Sequence, residues 1–206
     1  MNLTNQHTYI TASVTIRPHA VRKNGEETWK SNGEADFLRA LYDQYAGNYP
    51  KYHKMDALSK LGWLGTEILL QNTLPADKYA AGDVGIILAN SSSSQDTDER
   101  YFDTVSDIAS PALFVYTLPN IVIGEISIRH KLKGENSFFI FDKFDTAFIA
   151  TYVQTLFDSN TVQACICGWV EQYGSHYDGA LFLVEKEPGT LHTPFNGDTL
   201  NKLYQI

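Results

Sequence analysis

The chain has 206 residues, 43% hydrophobic, 19% charged and 13% aromatic, enough apolar material for one large folded unit and too much for intrinsic disorder. Its 16 Lys and Arg against 24 Asp and Glu leave a net charge of −8, which excludes the clustered positive surface of a nucleic-acid binder. No run approaches the roughly 18 apolar residues of a membrane span. The opening from Met1 to His7 lacks the basic-then-apolar order of a signal peptide, and two cysteines cannot staple a secreted scaffold, so a reduced, cytoplasmic protein is expected.

In chain order, Tyr9 to Ile16 reads as a strand from its β-branched content, ending before Pro18. Asn24-Gly25 and Asn32-Gly33 punctuate a polar stretch expected to be loop. Ala35, Leu38, Leu41, Tyr42 and Tyr45 recur at helical spacing, with Gly47 and Pro50 as stops. Met55, Leu58, Leu61, Leu64, Ile68 and Leu69 form an amphipathic helix, in which Gly62 and Gly65 allow another element to approach closely. Val84 to Ala89 is a short apolar run that suits a strand buried on both faces, and Ser91 to Asp98 is expected to be a polar loop.

Thr117 is placed to cap a helix carrying Pro119 in its first turn and running to about Leu132, with Gly134 as its stop. Ser137 to Phe141, Val162 to Val170 and Ala180 to Val184 read as three further strands, the first also buried on both faces. Alternating strands and helices indicate an α/β layered domain. The tail after Glu185 is polar and proline-bearing and carries little signal. Between Asp145 and Phe157 the helical pattern is apolar nearly all round, with Phe148, Tyr152 and Leu156 on one side and Ile149, Ala150, Val153 and Phe157 over much of the rest. Such a helix must be covered on nearly every side, so a further layer or another chain is expected over it.

Taken in order, these segments resemble the N-terminal half of a β-ketoacyl synthase. The matching pieces are Lys54 to Leu61, Val84 to Asn90, Ser110 to Asn120 with Gly124 to His130, Gly134-Glu135-Asn136, Cys167 to Glu171, and Asp178-Gly179-Ala180. Together they cover roughly residues 8 to 185. The resemblance implies an α/β, thiolase-like half-domain with a mixed central sheet and helices packed on both faces, spanning 1–206 as one domain, with the second half of the family's fold absent.

The departures bear on function. In active members the Gly-Pro-Asn is followed by Thr-Ala-Cys-x-Ser-Gly, whose cysteine accepts the acyl chain. Counting from Gly134 and back from Gly168-Trp169 places Lys143 at that position, between Phe141-Asp142 and Phe144-Asp145-Thr146. A thiolate shuttles an acyl thioester, whereas a lysine attacking it would form a dead-end amide. The family's catalytic histidines and second lysine belong to the missing half, and His192 follows the first half too closely to stand for one of them. The chain is therefore expected to be no enzyme by itself, with Lys143 either a lysine paired with Asp142 or Asp145 at a helix start or a block or anchor in a pocket.

The resemblance further implies dimerisation through the strand Phe138, Phe139, Ile140 and Phe141, with Phe148 on the helix between half-domains. Leu113, Phe114 and Tyr116 are open between core packing and lining a partner's acyl tunnel. Cys165 and Cys167 share one strand face and are expected in the core; no cofactor and no metal is expected. His130 is expected as a cap or surface residue. The function implied is that of a chain-length-factor-like, non-catalytic subunit of a β-ketoacyl-ACP synthase in fatty-acid or polyketide-type synthesis, of the aryl-polyene or flexirubin kind. Its partner would be a full-length ketosynthase, or itself in a homodimer, and acyl carrier protein would be reached through the partner. The alternatives are a homodimeric acyl-binding protein and an acyltransferase with an unidentified nucleophile.

Overall fold

A computed structural model describes residues 7–30, 36–75, 77–189 and 191–206. The opening hexapeptide, Asn32-Gly33 and Ala35 lie outside the described residues. The centre is one sheet in the order β3-β2-β1-β7-β6-β4-β5, built from β1 (Tyr9–Arg17), β2 (Ala20–Lys23), β3 (Glu26–Lys30), β4 (Val84–Asn90), β5 (Asn136–Ile140), β6 (Ala164–Tyr173) and β7 (His176–Glu185). A two-residue strand, β8 (Thr193–Pro194), pairs with the start of β1. β4 is parallel to both β5 and β6, while β7 runs antiparallel to β6 and to β1. The mixed sheet with helices on both faces is the architecture that the sequence implies.

On one face lie α1 (Phe37–Tyr45), α2 (Ala57–Leu70) and α5 (Ile121–His130), over a core that includes Leu41, Trp63, Leu64, Ile86, Ile126, Ile166 and Leu183. Asp56 starts α2 by accepting from Ser59 N at 2.9 Å, and Thr97 Oγ1 donates to its other oxygen at 2.9 Å. The two α2 glycines behave as their spacing predicts. A Cβ at Gly62 would lie 2.4 Å from a Val122 methyl of α5, and one at Gly65 would lie 2.6 Å from Leu181 of β7. The opposite face carries α6 (Thr146–Asp158) and α7 (Gly197–Tyr204) over Ile87, Val153, Phe157, Cys165, Cys167, Trp169 and Phe182. Both cysteines are buried core residues, as expected. No described helix is long and apolar enough to cross a membrane.

Several expectations need correction. The polar stretch at Asn24-Gly25 is the turn of a hairpin, β2–β3, with both residues at positive φ (53° and 85°) as a tight turn of this kind requires. Ser91–Asp98 is loop only to Ser94; α3 (Gln95–Val105) then begins, with Asp96 and Asp98 favourably placed in its first turn. Thr117 caps nothing, because its hydroxyl donates to Phe114 O; α5 starts after Asn120 and ends at Lys131 in the left-handed region, three residues before Gly134.

β5 is an edge strand with half-buried or exposed residues rather than one buried on both faces, and Ile140 is 48% exposed. The tail is ordered as β8 and α7, whose Leu200 is fully buried. That helix packs on α6, so part of the cover expected from another layer or chain comes from this chain itself.

Candidate functional site

Ligands in open α/β sheets gather at the carboxyl ends of the parallel strands. Here a cleft of about 710 Å3 opens at the carboxyl ends of β4, β5 and β6, lined by Ser91, Lys143, Trp169, Glu171, His176 and Tyr204 among others. Lys143 is exposed in the short link between β5 and α6, flanked by Asp142 and Asp145. It makes no ion pair among the described residues, so of its two expected roles the pairing with Asp142 or Asp145 is not seen. Asp145 is otherwise engaged, since its carboxylate accepts from Phe148 N at 2.9 Å as the N-cap of α6.

The serine hydroxyl in the cleft is also committed. Glu171 is buried, and its Oε2 accepts from Ser91 N at 2.6 Å, Ser91 Oγ at 3.0 Å and Ser92 N at 3.2 Å. The loop after β4 thus closes around a carboxylate already in place. At the far rim Arg17 Nε donates to Asp178 Oδ1 at 3.1 Å, and Tyr204 OH donates to Asp178 Oδ2 at 2.5 Å. The Arg17 guanidinium lies over the Tyr204 ring and also donates to the Tyr204 carbonyl, and Tyr204 packs edge-on to Phe144 at 5.1 Å. Residues from the last turn of the chain therefore form one wall of the cleft.

Nucleophilic catalysis needs a nucleophile and a base in contact. Burial pushes the Cys165 and Cys167 thiols up, away from the reactive thiolate. His176 and His192 are exposed, and their imidazoles make no hydrogen bond among the described residues. His130 is neither cap nor free surface: its Nε2 lies 2.9 Å from Glu67 Oε1 at the end of α5. No group of three potential metal ligands occurs among the described residues.

The remaining residues singled out from the sequence divide between the two faces. Phe139, Phe141 and Phe148 meet in one aromatic cluster, with centroids 4.9–5.9 Å apart, joined by Tyr152, whose ring the sequence placed on the helix but not in this group. Phe148 stays 37% exposed. Phe138 faces the other way and packs against the core under α2 and α5. Tyr116 is buried in that same core, while Leu113 is half-buried and Phe114 is 60% exposed on α4 (Pro111–Phe114). Tyr116 is thus a core residue, while Phe114 is not. Glu171 and Tyr204 carried no site signal: the first was one match in a strand, and the second reaches the cleft from the unread tail.

This arrangement is the thiolase-like ketosynthase fold. No family profile matches the sequence, and no curated protein matches it. Solved structures do. The ishigamide ketosynthase/chain length factor superposes with TM-score 0.64 at 17% identity over 87% of this chain and 62% of that one. AntDE:AntF, a type II PKS acyl-carrier protein in complex with its ketosynthase bound to the hexaketide, gives 0.63 at 15% identity over 88% and 64%. The ketosynthase ApeO in complex with its chain length factor ApeC, from Xenorhabdus doucetiae, gives 0.59 at 12% identity over 97% of this chain and 90% of the matched one. The chain thus spans less than two thirds of the matched chain in the first two and nearly all of it in the third.

Proposed function

We propose that this chain is a non-catalytic, ketosynthase-like partner subunit that docks on an active ketosynthase in polyketide or fatty-acid-type synthesis. The observation that carries the reading is the content of the cleft at the start of α6, in a chain with the ketosynthase fold. An unpaired lysine stands there among carboxylates, no cysteine lines it among the described residues, and the one serine hydroxyl shares Glu171 Oε2 with two backbone amides. The third structural match supports it, because a chain of similar extent takes part there in a ketosynthase–chain length factor pair.

Two surfaces fit such a partner. One is the open edge of β5, whose unpaired backbone groups can extend the sheet across a dimer. The other is the apolar surface between α3 and α5, where Phe102, Ile108, Phe114 and Leu118 are 75%, 80%, 60% and 59% exposed. Carrier proteins are acidic, so a chain of net charge −8 meets the ketosynthase directly and the carrier protein through it. The acyl products are of the aryl-polyene or flexirubin kind in this reading.

The test is condensation by the purified pair on acyl carrier protein. Replacing the partner's cysteine abolishes it, and Lys143→Ala in this chain leaves the rate within about twofold. A loss of a hundredfold or more in Lys143→Ala, with the pair intact, would place chemistry in this chain and reject the non-catalytic role.

A further inference from the structure

The cleft at the carboxyl ends of the parallel strands has a counterpart at their other end. A second cavity, of about 730 Å3, opens beside Val84, the first residue of β4. That volume lies in the range of small-molecule sites. Its walls are largely apolar: Leu70 and Leu74 at and after the end of α2, Val84 and Leu132, with Tyr45 and Tyr79 among them. The wall on the side of Tyr79 is held in place from outside the cavity. Tyr79 OH donates to Glu185 Oε1 at 2.8 Å, and Lys78 Nζ lies 2.6 Å from the same oxygen. Glu185 is 2% exposed at the end of β7, and Thr11 Oγ1 donates to its other oxygen at 2.5 Å. Lys133 N donates to Ala81 O at 2.7 Å, which ties the segment after α5 to the one before β4. A cavity held in shape this way needs little ordering when a ligand enters.

The rim is basic, in a chain of net charge −8. Arg129, His130 and Lys131 line it, and Glu67 is the one carboxylate among the described lining residues. Glu67 is already satisfied: Arg129 Nε and Nη2 donate to it at 2.9 and 3.0 Å, and His130 Nε2 lies 2.9 Å away. Arg129 Nη1 and the Lys131 ammonium make no hydrogen bond among the described residues, so positive charge and donors are left over at the mouth of an apolar space. Lys131 is also held in an unusual conformation. It ends α5 in the left-handed region, at φ 57° and ψ 33°, where glycine is the common residue. A cation is favourable at any helix carboxyl end; what is particular to this one is the cavity that it borders.

We propose that this cavity binds an amphipathic anion of small-molecule size, a carboxylate or phosphate head on an apolar body of medium length. The body lies against Leu70, Leu74, Val84 and Leu132, and the head meets Lys131 and Arg129 Nη1. The inference does not rest on the reading of this chain as a ketosynthase partner, because the cavity stands at the opposite end of β4 from the cleft at Lys143.

The test is calorimetric titration of the purified chain, or of its complex where one forms, with octanoate and with octyl phosphate, and with octanol as the uncharged control. At least one of the two anions is expected to bind one-to-one and about tenfold or more tighter than octanol, and the tighter of the two identifies the head group. Lys131→Gly suits the left-handed cap and removes the ammonium, so it should weaken the anion about tenfold with the fold intact. Ala81→Trp, at an exposed position that lines the cavity, should abolish binding by filling the space. No saturable binding of either anion overturns the proposal, as does octanol binding as tightly as both. Anion binding that survives Ala81→Trp lies elsewhere on the surface, and an unchanged affinity in Lys131→Gly removes the head-group contact; either result also overturns it.

Discussion

Glu67 on α2 pins the end of α5 through Arg129 and His130, and its acid titration should report that contact. Arg129 donates to both carboxylate oxygens, Nε at 2.9 Å and Nη2 at 3.0 Å, and His130 Nε2 lies 2.9 Å from the first. Burial alone pushes the Glu67 carboxyl up, but the hydrogen bonds and charges of His130 and Arg129 outweigh it and bring it from 4.5 to about 2. A carboxyl depressed in the folded state stabilises that state above its unfolded value, and the contribution is lost as pH falls through the folded one. That interval, at about 1.4 kcal/mol per pH unit, sets a ceiling of about 3 kcal/mol. Solvent screening at the partly exposed Arg129 lowers the expectation to about 1–2 kcal/mol. Urea unfolding followed by tryptophan fluorescence, on wild type and Glu67→Gln, should show that gap at pH 7 and lose most of it as pH falls to about 2. A gap of the same size at both pH values would refute the linkage between Glu67 and its two partners.

Two further outcomes follow from the second core. Leu200→Ala should cost about 2–4 kcal/mol in urea denaturation, because Leu200 is fully buried beneath α7; a cost under about 0.5 kcal/mol would mean that α7 is not part of the core. Cys165 and Cys167 should resist a thiol reagent in the native protein and react fully in urea, since both are buried with thiols pushed up; fast native labelling would contradict their place in the sheet.

The parts of this fold legible in the sequence are those where one physical effect dominates. Val84–Ala89 and Ala180–Val184 are buried on both faces and read as continuous apolar runs, and α2 shows its stripe and its two glycines together. The parts that were missed depend on partners distant in sequence. β2 and β3 are largely polar and become strands because β1 offers an edge: Val14 to Arg17 pair with Ala20 to Lys23. α3 is polar along most of its length and buries only Thr97, so its periodicity is masked by composition.

The candidate site divides in the same way. Lys143 could be singled out from the motifs on either side, but Tyr204 lines the same cleft from the chain's end, held by Arg17 and Asp178. β5 misled because a short run such as Ser137 to Phe141, without polar alternation, looks the same at a sheet centre and at a sheet edge.

The most direct measurement is co-expression with the ketosynthase encoded nearest to this chain, followed by light scattering on the purified material. The account predicts a stable one-to-one complex, with the chain alone self-associating through its exposed apolar surface. A chain that remains a soluble monomer or a homodimer and ignores the ketosynthase contradicts it.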